Sequence, residues 1–295
     1  MNFENTFSYN VDQYTLVSHV LSLGFAVMAA GLVYFLATRG SIAPRYRFSS
    51  VLSAVVMISA FFELFLLYQR WVTAFRWDGS AFVQSGTLFS NGYRYVNWSI
   101  DVPVLLIQLL VVMGVTGRRF HRAWVTFVVG GLAMVYTGYA GQFYEVERNA
   151  PFWVWGLVST AFFVLLLALV AKVIFGNLGR LPESARGTAR MVWWLVLVSW
   201  MLYPGAYLMP AMWDTADGVV ARQITYTVAD IVSKVVYGVL LGIIARRVSV
   251  AEGYGPALDD EVSLPRGGIT DAVGGTDAVG VTDRRGGRGP TGGGR

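Results

Sequence analysis

Five ionisable residues fall inside long apolar stretches: Glu63, Arg94, Asp101, Asp230 and Lys234. Charge at membrane depth is costly, so such residues mark a functional site by default. Lys234 is one of two lysines, and the other, Lys172, stands near the end of its apolar run. A lone amine within a bundle is a nucleophile suited to forming an imine with an aldehyde, which arginine cannot do. It is equally suited to a structural ion pair with Asp230, one helical turn away, and on these residues alone both readings stand. Arg94, Asn97, Asp101 and Gln108 follow one another at spacings that line one helix face. At about 1.5 Å per residue, Asp101 lies roughly 10 Å from Gln108 along that helix. Trp98, Trp200, Tyr203 and Tyr207 belong to two segments at similar depth. They supply the rigid apolar walls that a flat polyene needs, and they are equally apt to fill a core. Pro204 is expected to kink its helix beside them.

Positioning these residues takes helices long enough to cross a bilayer. The chain has 295 residues, 55% hydrophobic and 14% charged, more apolar surface than a soluble fold can hide. Seven stretches reach the roughly 20 residues that a span requires. They are expected near 12–38, 46–74, 92–116, 121–143, 151–176, 187–211 and 219–247, an all-α seven-transmembrane-helix bundle. A short extracellular hairpin is expected around Asp78-Gly79, between the second and third. The acidic residues 1–13 have no signal-peptide character and suggest a folded-over cap. Arginines 39, 45, 47, 118, 119, 122, 180 and 186 fall in the first, third and fifth connections. The positive-inside rule then puts the N-terminus outside and the C-terminus in the cytoplasm of a cell-membrane protein. Residues 1–247 form the helical domain, and 248–295 read as a Gly-rich disordered cytoplasmic tail. There is no cysteine, and histidine occurs only as His19 and His121, which excludes disulfides and a histidine-rich metal cluster. The net charge of +5 is scattered between apolar runs, a membrane pattern rather than a nucleic-acid one.

With these residues in place, the sequence resembles a microbial rhodopsin. The likeness is carried by RYVNWSIDVPVLLIQ (94–108), ARQITYTVADIVSKVVYG (221–238), SWMLYPGAYLMP (199–210) and TGYAGQFYEV (137–146). It covers about residues 1–247. The resemblance implies all-trans retinal on Lys234 as a Schiff base, with Asp101 and Asp230 as counterions. Asn97, Asp101 and Gln108 form the triplet N-D-Q, similar to that of light-driven outward sodium pumps, in which proton transfer to Asp101 is the gate. It further implies a transient sodium site near Asn97, Ser59 and Asp230, and a polar entry cavity at Ser53 and Gln108. Ser50 and Gly242 match the cytoplasmic entrance, although relatives usually have asparagine where Ser50 stands. Arg94 matches an outward-facing positive barrier, and Glu145 with Arg222 an exit pair. If that pair is exposed, it contributes about 0–1 kcal/mol. Tyr14 and His19 match a protomer interface, and a pentamer is implied. Thr87 replaces an aspartate tied to a static surface sodium. The alternatives are a light-driven proton pump and a sensory photoreceptor. Glu63 departs from typical sodium-pumping relatives, which are apolar there. Two cations, Lys234 and Arg94, already face two carboxylates. Glu63 is therefore expected to share one proton with Asp101 and to donate a hydrogen bond to it.

Overall fold

The computed structural model describes residues 2–255. Seven helices are long and apolar enough to cross a membrane. They are α1 (Val11–Ala37), α2 (Arg47–Ala74), α3 (Gly92–Val112), α4 (Gly117–Gln142), α5 (Ala150–Asn177), α6 (Glu183–Met212) and α7 (Ala216–Ala251). Successive helices pack side by side and α1 closes the ring against α7. Large apolar side chains cover the outside, among them Leu23, Val33, Phe62, Leu157, Val164 and Val198, while Glu63, Arg94, Asp101, Asp230 and Lys234 are buried among the helices. That placement is what a lipid solvent demands, because polar groups at membrane depth must find their partners within the bundle.

Local chemistry sets the ends. Asn10 and Gln13 form a reciprocal capping box at the start of α1, satisfying donors that a helix N-terminus leaves free. The Thr215 hydroxyl accepts from the Gly218 amide at the start of α7. The expected third and fourth spans were 92–116 and 121–143. Instead α3 stops at Val112 and α4 begins at Gly117. Gly114 and Gly117 take φ of +65° and +62°, a left-handed backbone that ends a helix and favours glycine. The seventh span is not a uniform α-helix, because Ile231–Val236 is a π-helical turn. The helix also runs on to Ala251, past the expected 247. Residues 252–255 follow in a turn, with Tyr254 bonded to Arg47 and Gly40, and the rest of the tail expected from 248 lies outside the described residues.

Between α2 and α3 the expected hairpin is present, with β1 (Phe75–Trp77) antiparallel to β2 (Phe82–Gln84) and Arg76 opposite Val83. Asp78 accepts from the amides of Ala81 (2.9 Å) and Ser80 (2.8 Å). These bonds to its charged form hold the carboxyl below its ordinary value. Tyr9 pairs with Phe82 beside this hairpin, and Phe3–Thr6 form a short 3-10 turn. The N-terminal segment is thus folded over one end of the bundle, called here the hairpin end. The opposite end carries the arginine-rich connections.

Candidate functional site

The i, i+4 spacing on α7 stacks Arg222, Tyr226, Asp230 and Lys234 on one face, and all four are buried. Lys234 sits in the π turn, a local irregularity that often coincides with functional positions. Its Nζ donates to Asp230 Oδ1 at 2.5 Å and Asn97 Oδ1 at 3.1 Å. Carboxylate oxygens of Asp101 and Glu63 each stand 3.5 Å from the same nitrogen. Asn97 and Asp101 from α3, Glu63 from α2 and Asp230 from α7 therefore meet at one amine. Asn97 Nδ2 donates to Ser59 Oγ at 2.8 Å. Tyr203 donates to Asp230 Oδ1 at 2.9 Å, and its hydroxyl also bonds Ser233.

The hydrogen bond expected from Glu63 to Asp101 is not formed. Arg94 takes Glu63 Oε1 at 3.2 Å and Asp230 Oδ2 at 2.9 Å. The two carboxylates instead converge on Nζ, and neither Asp101 oxygen has a hydrogen-bond partner. The guanidinium out-competes a second carboxyl because it offers both charge and a fork of donors.

Toward the hairpin end, the Glu145–Arg222 pair is not an exposed clamp. Both side chains are fully buried, and they meet at 2.6 Å. A third member, Glu4 on the N-terminal 3-10 turn, was not expected. Its Oε1 accepts from Asn91 (2.6 Å), Gln223 (2.8 Å) and Arg222 (3.2 Å). Burial raises the Glu4 carboxyl above its ordinary value against the pull of Arg222, and Glu145 adds to the rise. Gln223 also accepts from Arg94 at 2.9 Å, joining this cluster to the central one. The Tyr226 ring centroid lies 4.7 Å from the Arg94 guanidinium and 5.7 Å from that of Arg222, a cation–π contact with each. The spacing along α7 could have flagged Tyr226. Nothing periodic flags Glu4.

Toward the arginine-rich end, Gln108 Nε2 donates to Ser53 Oγ at 2.6 Å and to Ser49 Oγ at 3.2 Å. Ser49 had not been singled out. Ser50 is buried but makes no hydrogen bond to Gln108, and Gly242 has open space where a Cβ would stand. Tyr14 stacks on Phe82 within the chain, ring centroids 3.7 Å apart. His19 is exposed on the outer face of α1, and Thr87 is half-buried in the connection before α3. No cluster of His, Cys, Asp and Glu suited to a fixed metal occurs among the described residues.

From Lys234 an apolar cavity of about 250 Å³ extends between α3, α5 and α6. Trp98, Trp200, Tyr203, Pro204 and Tyr207 line it, as expected, with Phe152. Trp98 meets Tyr203 edge-on at 5.1 Å, and Tyr207 stacks on Phe152 at 4.8 Å. Gly156 keeps one wall thin, since a Cβ there would lie 2.9 Å from Tyr207. An amine at the closed end of an aromatic slot fits a flat polyene aldehyde.

The bacteriorhodopsin-like protein family matches residues 15–248. The chain belongs to that family. Among curated microbial rhodopsins, bacteriorhodopsin-I of Haloarcula marismortui is 29% identical over 224 residues, 75% of this chain and 87% of that protein. Two solved structures share the fold. A thermophilic rhodopsin is 31% identical with a TM-score of 0.79, covering 83% of this chain and 98% of its own. Xanthorhodopsin, described as a light-driven ion pump with a dual chromophore, is 30% identical with a TM-score of 0.78, covering 84% and 99%. Microbial rhodopsins carry retinal covalently, through a Schiff base to a lysine, and the lysine at this cavity is Lys234. The chain is a seven-span membrane protein of a family of light-driven ion pumps and photoreceptors, not a conventional enzyme.

Proposed function

We propose that this rhodopsin moves sodium outward under light, with retinal on Lys234, the N-terminus outside and the arginine-rich end in the cytoplasm. One observation carries the reading. The buried carboxylates among the described residues are Glu4, Glu63, Asp101, Glu145 and Asp230. All of them contact Lys234 or lie on its hairpin side. The buried polar groups toward the arginine-rich end among the described residues are uncharged; they include Gln108, Ser49, Ser50 and Ser53, with Ser41, Thr188 and Ser249. A proton relay into Lys234 from that end would need a titratable donor. Amide and hydroxyl oxygens suit a cation that sheds part of its water.

Retinal, when bound, changes shape on absorbing light and displaces the positive charge at its linkage. Asp101, 3.5 Å from Nζ, is placed to take the proton held there, which lowers the positive barrier to a passing cation. Gln108 Oε1 has no protein partner and faces the incoming ion as an acceptor. Asn97, Ser59 and Asp230 then supply oxygens for a transient stop beside Nζ. Arg94, held by Glu63, Asp230 and Gln223, opposes return from the outside.

The test is illumination of cells in sodium and in potassium salt with a pH electrode. In sodium, a proton uncoupler is expected to enhance passive proton influx. Abolition of the signal by the uncoupler in sodium salt would mean that protons are the cargo.

A further inference from the structure

Tyr226 touches the retinal slot and a buried cation at once. Its side chain, only 1% exposed, forms part of the slot wall with Trp98 and Tyr203. Its ring centroid lies 5.7 Å from that of Trp98 and 6.3 Å from that of Tyr203. The same ring meets the Arg94 guanidinium at 4.7 Å. The other partners of Arg94 are oxygens. Nη1 donates to Glu63 at 3.2 Å and to Asp230 at 2.9 Å. Nη2 donates to Gln223 at 2.9 Å, and Nε to Asn91 at 3.4 Å. Glu63 and Asp230 are contested, because Lys234 Nζ reaches them at 3.5 Å and 2.5 Å. The ring is a partner for which Nζ does not compete.

We infer that Tyr226 is a positioning residue: its ring, built into the slot wall, holds Arg94 against the carboxylates about Nζ. The inference rests on the retinal linkage and not on which ion is moved. The face of a tyrosine ring carries negative charge, and a cation set over it gains most where water is excluded. The Arg94 side chain is fully buried. With the ring's attraction removed, Arg94 depends on oxygens that it shares with Lys234, and it balances Glu63 and Asp230 less firmly. Those carboxylates then take up a proton more readily. A displacement of Trp98 or Tyr203 in the slot wall reaches Arg94 through this ring, which ties the shape of the slot to the charge balance beside Nζ.

The experiment is an acid titration of the visible band in the retinal-loaded protein. The red shift reports protonation of the carboxylates about Nζ, which are Glu63, Asp101 and Asp230. Glu4 and Glu145 face Arg222 instead, and the Tyr203 hydroxyl faces Asp230. Tyr226→Phe is the reference. The same variant carrying ring fluorines has nearly the same shape, but its face is drained of negative charge. Fluorination is expected to move the red shift to higher pH by about half to one unit, and Tyr226→Leu to move it the same way. In an Arg94→Gln background fluorination should move nothing, because the cation it acts through is gone. A coloured fluorinated protein that titrates like Tyr226→Phe would overturn the inference. So would an equal shift in Arg94→Gln, which would make the ring a packing element only. Should Arg94→Gln fail to colour, Arg222→Gln takes its place; there the shift must persist, and its loss would assign the effect to Arg222. Sodium transport enters none of these readouts, so failure of the sodium reading leaves the inference standing.

Discussion

Arg222 is neutralised twice, and the redundancy is measurable. Glu145 Oε2 stands 2.6 Å from one of its nitrogens and Glu4 Oε1 3.2 Å from another. Consider Glu145→Gln. The variant keeps a neutral acceptor beside a guanidinium that Glu4 still neutralises, so the loss is about 1 kcal/mol. Removing Glu145 also lifts the repulsion that helps to raise the Glu4 carboxyl, so Glu4 ionises more readily and takes over. Glu4→Gln leaves the shorter Glu145 bond and costs no more. The double variant leaves a fully buried guanidinium with neither carboxylate, a situation typically worth about 3–5 kcal/mol. The double loss should therefore exceed the sum of the single losses by about 1–3 kcal/mol. The assay is the rate at which the visible band is lost at a fixed elevated temperature. Such a rate reports the barrier to unfolding, and each 1 kcal/mol is about fivefold. Independent sites would multiply their rate factors. The double variant should bleach at least about fivefold faster than that product. A match to the product within about twofold, the limit of ordinary additivity, would refute the shared-counterion argument. The same cluster sets a pH dependence. The Glu4 carboxyl is raised in the folded state, so its contribution is fully present below its ordinary value of 4.5 and lost as pH rises through the raised one. Bleaching should accelerate over that window in the parent, and Glu4→Gln should flatten the slope.

Lys234→Ala should give no visible band with retinal, and a coloured variant lacking added amine would move the linkage elsewhere. Asp101→Asn should abolish sodium transport while keeping colour, because the proton at Nζ has lost its acceptor; unchanged sodium-driven influx would refute the gate. Asn97→Asp should shift transport toward protons, read as uncoupler-sensitive acidification in potassium salt. Glu63→Leu should keep both pigment and transport, because Asp101 and Asp230 alone balance Lys234 and Arg94. A coloured but inactive Glu63→Leu would make Glu63 an obligatory participant.

The spans were legible because lipid-facing residues such as Leu157 and Val198 make each run apolar throughout. The helix ends were less so. Gly114 and Gly117 stop and restart the chain through left-handed backbone, and a hydropathy window passes over both. The π turn at Lys234 was hidden because an inserted residue changes the register without changing composition. The central cluster was legible through spacing: α3 presents Arg94, Asn97, Asp101 and Gln108 on one face, and all four are buried. Glu63 shows the limit of that logic. Spacing along α2 fixed its depth beside Nζ, but not that Arg94 would capture it before Asp101 did. Glu4 lay beyond reach because its partners are fixed by tertiary folding of a short 3-10 turn, which has no periodic pattern.

That turn has a consequence for how the protein is made. Glu4 precedes all of its partners in the chain, by 87 residues for Asn91, 218 for Arg222 and 219 for Gln223. The residues that close the hairpin end therefore leave the ribosome before the helices they close against. Until α7 is inserted, Glu4 has no cation, and until Glu4 docks, Arg222 has only Glu145. The lid over the hairpin end is the earliest of these pieces to be synthesised and the last that can be seated, so assembly of the bundle and closure of that end are separate events in time.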